Sequence, residues 1–319
     1  MKPSRYALFT AGLVAGLAAG CGGGDGGTCP DGFPRGPSAL TVTEVASFTP
    51  APEGVAVCPG GDVFVATTES GEIWRLPVDG SAAVLYTTLT GRRPGGLACD
   101  DQGRLFVADF GGGAAIPACL RLDGAEAMLV LPTDVEGTPI EHPNGVVIVP
   151  GAGIYLSDSG RGEIVRFVEA STDVYDATLV ASGADLAASG VIPGANGLAY
   201  HAASSTLYVA VTALSQVVAY DLNADGTLGA TPRERFGDTY GLSLVDGVAV
   251  DEEGTLWVAN ALGGEIVRVA GSGEVVASVP SAASLAFRGG TLFVTSFVPG
   301  ADGTGALSTL DVGACAGSF

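Results

Sequence analysis

One pattern recurs along this chain roughly every forty to fifty residues, and few architectures can accommodate it. Over residues 246–267 it reads Asp246-Gly247-Val-Ala-Val, a polar turn at 251–254, Leu256-Trp-Val-Ala, a turn closed by Asn260 and Gly263-Gly264, then Ile266-Val. Short β-branched runs broken by Gly and Asp mark successive antiparallel strands. The same phrase begins at Glu53-Gly54, Gly95-Gly96, Asn144-Gly145, Asn196-Gly197 and, with Ser284 in the glycine's place, at Ala283. From mark to mark the intervals are 42, 49, 52, 50 and 37 residues. Six meanders of this length predict an all-β fold, a six-bladed β-propeller with four-stranded antiparallel blades.

Both ends of the chain bear on how such a ring closes. Residues 39–50 read as a strand with no blade of its own, whereas the sixth unit runs out of sequence after Leu307–Val312. The N-terminal strand is therefore expected to complete the last blade and remove its open edge. The propeller is assigned to residues 39–319. The longest stretches between blades, near 124–143 and 169–195, are expected to shape a substrate mouth.

Ahead of the propeller, residues 1–20 carry Lys2 and Arg5 followed by an apolar run, the pattern of a signal peptide. They end in small residues before Cys21, which resembles a bacterial lipoprotein box with Cys21 as the lipidated residue. The Gly-rich residues 21–38 read as a flexible tether. The expected location is outside the cytoplasm, anchored to a membrane only through the Cys21 lipid and facing the periplasm or cell surface.

With residues 1–20 removed, 12 basic side chains face 34 acidic ones, a formal charge of −22. Such a surface excludes nucleic acid as a partner and tolerates cations. Lys2 is the only lysine, so Schiff-base and P-loop chemistry are excluded from the folded part. An exported chain with Cys29, Cys58, Cys99, Cys119 and Cys315 favours disulfides. Because the two ends of a closed ring meet, Cys29–Cys315 is the expected pair, and an odd count leaves one thiol unpaired.

In a propeller the inner strands converge on a central channel. The residue before each marking glycine is presented to the axis: Glu53, Gly95, Asn144, Asn196, Asp246 and Ala283. Two acids and two amides facing one point form an oxygen-only donor set. Two carboxylates held there repel, raising a pKa, unless a cation lies between them. Such a set suits one divalent ion, Ca²⁺ first, with Mg²⁺, Mn²⁺ or Zn²⁺ as alternatives. A second set, Thr67, Asp109, Asp158, Val211, Asn260 and Ser296, follows the second strands and is expected to cap turns.

Glu53-Gly54, Asn144-Gly145 and Asp246-Gly-Val-Ala-Val-Asp followed by Gly254-Thr-Leu-Trp-Val-Ala together resemble the senescence marker protein/gluconolactonase family, which includes regucalcin. The resemblance implies a six-bladed propeller with Glu53, Asn196 and Asp246 as metal ligands and Asn144 on the substrate side. It also implies opening of a lactone or related small ester, with an acidic ligand such as Asp246 or a bound water as base. The family's substrate-side Arg-x-Asn-Asp-Gly reads His142-Pro-Asn144-Gly145 here, lacking the arginine and the aspartate. His142 is a candidate base at the mouth, as histidines are in related paraoxonase-type propellers. Arg92 and Arg93 stand at the same mouth, either to bind substrate or to offset nearby acids. His201, in a polar turn, reads as structural. The same blade pattern fits NHL repeats, so a non-catalytic lipoprotein binding a protein or a glycan is the alternative to a metal-dependent hydrolase. Lyases of the virginiamycin B type share the architecture, but no clear set of their catalytic residues is visible.

Overall fold

The computed structural model describes residues 40–269, 273–297 and 303–313. They form six four-stranded antiparallel sheets arranged as a β-propeller. Blades 1 to 5 take their strands in chain order from the axis outward, beginning with inner strands Pro52–Val57, Pro94–Cys99, Pro143–Val149, Ala195–His201 and Val245–Val250. Blade 6 runs outward from Ala282–Arg288 through Thr291–Phe297 and Gly305–Asp311, and its outermost strand is Val42–Phe48 from the other end of the chain. The expected closure by the N-terminal strand is therefore present.

Second strands such as Val63–Thr67 and Leu105–Asp109 are buried at every residue, because a blade packs against a neighbour on both of its faces. This is why the repeats read as unbroken apolar runs instead of alternating ones. The core is correspondingly divided into six wedges, one between each pair of adjacent blades. Trp257, Ile266, Leu285 and Leu292 fill the wedge between blades 5 and 6, and Phe48, Val65, Phe293 and Leu307 fill the one that closes the ring. Outer strands carry less of this burden: Val84–Thr88 leaves Val84 and Leu85 about half exposed, at 48% and 49%.

Two expectations change in detail. Within the stretch 169–195, residues up to Ser182 belong to a long outer hairpin of blade 3, Glu163–Ser171 paired with Val174–Ser182. That hairpin points away from the axis, so only 183–194 reaches the channel end. The stretch 124–143 contributes a small hairpin, Asp134–Val135 with Thr138–Pro139, just before the inner strand of blade 3.

A disulfide joins Cys58 to Cys99, bridging the inner strands of blades 1 and 2, while Cys119 is buried and free. The expected Cys29–Cys315 pair, and Cys21, lie outside the described residues. The Cys58–Cys99 bridge had a readable signal. Its separation of 41 residues is one repeat, which puts both cysteines at the same end of neighbouring inner strands.

Candidate metal centre at the channel mouth

Strand alternation decides which loops meet at the axial residues. Each inner strand starts at one end of the channel, so the turns between second and third strands, and the connections between blades, gather at that same end. This end is the mouth.

All six inner strands carry a register irregularity at the equivalent place: Pro52/Val55, Pro94/Leu97, Pro143/Val146, Ala195/Leu198, Val245/Val248 and Ala282/Leu285. Each inserts one extra residue against its partner strand, and bulges of this kind re-aim side chains. The extra backbone holds Glu53-Gly54, Gly95-Gly96, Asn144-Gly145, Asn196-Gly197, Asp246-Gly247 and Ala283-Ser284. The glycines are there for close approach. A Cβ on Gly145 would sit 2.4 Å from the Asn196 carbonyl oxygen, one on Gly197 2.6 Å from that of Asp246, and one on Gly247 2.4 Å from that of Ala283. Backbone contact from blade to blade thus forms a tight ring around the channel.

Hydroxyl groups on second strands, or just after them, lock that ring. Ser157 Oγ accepts from Gly145 N at 2.7 Å and donates to the Asn196 carbonyl at 2.6 Å. Thr295 Oγ1 does the same for Ser284 N and the Glu53 carbonyl, at 3.0 and 2.6 Å, which joins blade 6 to blade 1. In blade 4, Thr212 Oγ1 donates to Val245 O and accepts from Asn196 Nδ2, so the Asn196 amide is oriented and its Oδ1 is left for other use. None of these three hydroxyls was singled out in the sequence. Their signal is a Ser or Thr late in, or just after, an otherwise apolar second strand.

The side chains converge as their positions imply. Burial raises Asp246 well above the usual carboxylate range, the Glu53 charge raises it further, and a hydrogen bond from the Asn196 side chain opposes both. Glu53 is raised to about 7 by burial, against the opposing pull of the Arg93 guanidinium. Glu53, Asn196 and Asp246 therefore act on one another across the channel, while each acid keeps part of its surface on it. Asn144 is buried in the same ring, its carbonyl packed against Gly96.

This donor set fits a divalent cation. It offers two carboxylates and an amide oxygen, and the two acids are held close enough to resist ionising together. Among the described residues no group of three or more His, Cys, Asp or Glu is placed to hold a metal. The axial set falls outside that description because one of its three members is an amide.

The other mouth residues are largely paired. Arg92 Nη1 bonds Asp109 at 2.6 Å in an ion pair whose carboxylate is fully buried. Arg93 pairs with Glu69, and its Nε is buried with no hydrogen-bond partner. Asp109 also takes the Arg93 and Gly111 N–H groups, Asp158 takes those of Glu141, His142, Gly160 and Arg161, and Asn260 takes that of Ser243. These residues cap the mouth loops, as their place after the second strands suggested. The His142 ring lies on the mouth face against Gly160. His201 bonds Ser204 in a turn at the opposite end of the channel.

Residues 174–298 match the family model of the SMP-30/Gluconolactonase/LRE-like region. That SMP-30/gluconolactonase-like stretch contains the inner strands of blades 4 and 5, and with them Asn196 and Asp246. The fold is shared with solved structures at low identity. A gluconolactonase from Xanthomonas campestris aligns with a TM-score of 0.67 and 19% identity over 86% of this chain and 90% of that one. Regucalcin from Agrobacterium tumefaciens, described as a calcium-binding protein, aligns with a TM-score of 0.65 and 19% identity over 86% and 95%. Virginiamycin B lyase from Staphylococcus aureus aligns with a TM-score of 0.53 and 16% identity over 81% and 82%. No curated protein matches the chain.

Proposed function

We propose that this chain is a divalent-metal-dependent hydrolase of a lactone or small ester. The observation that carries the reading is the mutual placement of Glu53, Asn196 and Asp246, two acids destabilised as a pair beside an oriented amide. The match over 174–298 supports it, because it spans two of these three residues. Glu53 and Asp246 would hold the ion through their carboxylates and Asn196 through Oδ1, with Ca²⁺ the expected occupant. A bound divalent ion supplies charge stabilisation at a carbonyl oxygen.

The chain's own residues do the remaining work. Asp246 accepts a proton from the attacking water as general base. As the acyl C–O bond breaks, the proton passes to the departing alkoxide, so one water is consumed and a hydroxy acid, or an acid and an alcohol, is formed. Thr212 keeps the Asn196 amide oriented. Asn144 lies on the substrate side, and His142 is a second candidate proton carrier at the mouth.

The test is metal content and cation-dependent melting of the purified protein beside Asp246→Ala. About one tightly held divalent ion per chain, lost in the variant, is the expected outcome. If neither an ion nor a thermal shift with Ca²⁺, Mg²⁺, Mn²⁺ or Zn²⁺ is found, the hydrolase reading fails and a non-catalytic binding propeller takes its place.

The same reading keeps the protein outside the cytoplasm, tethered through Cys21. The Cys58–Cys99 disulfide supports an oxidising setting. Metabolic labelling with palmitate should mark the full chain but not Cys21→Ser, and equal labelling of both would refute the tether.

A further inference from the structure

We infer that the axial site takes lactones or esters bearing an apolar chain, in preference to polyhydroxylated sugar lactones; the inference rests on the hydrolase reading above. A site for a sugar needs a hydrogen-bond partner for each hydroxyl it desolvates, since each one left unmet costs ~1–3 kcal/mol. Several polar groups at the mouth are already committed. Asp109 and Asp158 are spent on loop N–H groups, Asn260 holds a loop at both ends of its amide, and the Arg92 guanidinium is held by Asp109. The Arg93 guanidinium is in turn paired with Glu69.

Part of what surrounds the oxygens is apolar. Blade 2 contributes no axial side chain, and the Phe110 ring occupies that space: a Cβ on Gly95 would lie 2.7 Å from its Cε2. An aromatic ring thus stands beside the axial oxygen set and keeps part of its own surface open. Further out, five large hydrophobic residues are exposed outside the strands among the described residues: Val78, Ile116, Val191, Leu214 and Leu262. All but Val78 sit on mouth loops of blades 2, 4 and 5. Ile116 is 57% exposed and Leu262 63%. An apolar ring inside and an apolar rim outside describe a path for an alkyl chain running outward from a carbonyl on the axis. Each methylene buried on that path is worth ~0.8 kcal/mol.

The experiment uses the cation-loaded full chain with γ-lactones of increasing alkyl tail, beside glucono-δ-lactone. In parallel, the affinity of methyl n-alkyl ketones of matching length is titrated; these keep the carbonyl and the chain but cannot be hydrolysed. The expected result is a kcat/KM that rises by up to about fourfold per added methylene, a parallel rise in ketone affinity, and poor turnover of glucono-δ-lactone. Phe110→Ala and Leu262→Glu should flatten both slopes without changing the metal content. A flat chain-length series, or glucono-δ-lactone turned over faster than every alkyl lactone, would overturn the inference and leave the hydrolase reading standing. Turnover of no lactone together with no ketone binding would overturn both.

Discussion

At the scale of single residues, Glu53 and Asp246 are the side chains whose placement costs the protein stability. A carboxyl whose folded-state pKa lies above its unfolded value binds more protons when folded. Folding then weakens as pH rises from the unfolded value, near 4.5, through the folded one, which for Glu53 is about 7. Metal-free protein should therefore melt lower at pH 8 than at pH 5.5. The remaining acids, with a formal charge of −20 on the chain, push the same way through general repulsion, so the slope alone does not identify the pair. Glu53→Gln removes the titration and one of two facing charges. It should melt close to wild type at pH 5.5 and above it at pH 8, and it should lose the stabilisation that Ca²⁺ gives wild type. A Glu53→Gln curve parallel to wild type across that range would remove the axial pair from the account. Glu53, Asn196 and Asp246 could be named from sequence because each stands before a repeat mark. Thr212, Ser157 and Thr295 could not, because their importance lies in hydrogen bonds to the neighbouring blade, which a repeat read one unit at a time does not contain.

At the scale of elements, the inner strand with its bulge is the part that builds the site. Asn-Gly and Asp-Gly pairs usually signal tight turns, yet here they lie inside strands, with glycine required where one backbone meets the next. Gly197→Ala should therefore be costly. Its Cβ would press on the Asp246 carbonyl and on the Gly247 Cα, at 2.6 and 2.8 Å, and backbone cannot step aside as a flexible side chain can. The expected loss is about 1–3 kcal/mol or more, with weaker cation binding because the Asp246 carbonyl is displaced. Gly80→Ala is the matched control: at φ 77° it meets no atom within 4 Å, so it should cost only the ~1 kcal/mol of a left-handed alanine. Urea midpoints of the two variants compare these directly, and equal losses would mean that the close blade-to-blade contact has no energetic weight. The repeat also explains which elements depart from the expected pattern. Residues 169–182 looked like an insertion because the outer hairpin of blade 3 has two nine-residue strands, well beyond the other blades. Outer strands face solvent on one side, so their pattern is weak where the inner strands' pattern is strong. Cys58–Cys99 has a different cause: adjacent inner strands bring together residues one repeat apart, independently of where the chain ends meet.

At the scale of the whole molecule, the axial site exists only if the ring is closed. Glu53 belongs to blade 1 and Asp246 to blade 5, with blade 6 between them, and blade 6 is completed by Val42–Phe48 pairing with Gly305–Asp311. The same blade is tied forward by Thr295 to the Glu53 carbonyl and by Phe48 and Phe293 to the core of blade 1. Loss of the outermost strand would therefore affect more than one sheet. It would bare the backbone of Gly305–Asp311 as an unpaired edge, open the wedge holding Phe48, and loosen the spacing of the two acids. A chain beginning at Leu40 keeps every strand of the propeller and should melt as the longer chain does, with the same cation-dependent shift. A chain beginning at Pro50 lacks the closing strand. It should melt earlier and less cooperatively, lose the cation shift, and associate through the exposed edge, as unprotected edge strands do. Thermal melts with and without Ca²⁺, read beside light scattering, separate these effects. An open-ring chain that stays monomeric and keeps the full cation shift would mean that blades 1 and 5 are held in place by their other neighbours, and that closure matters to the edge but not to the site.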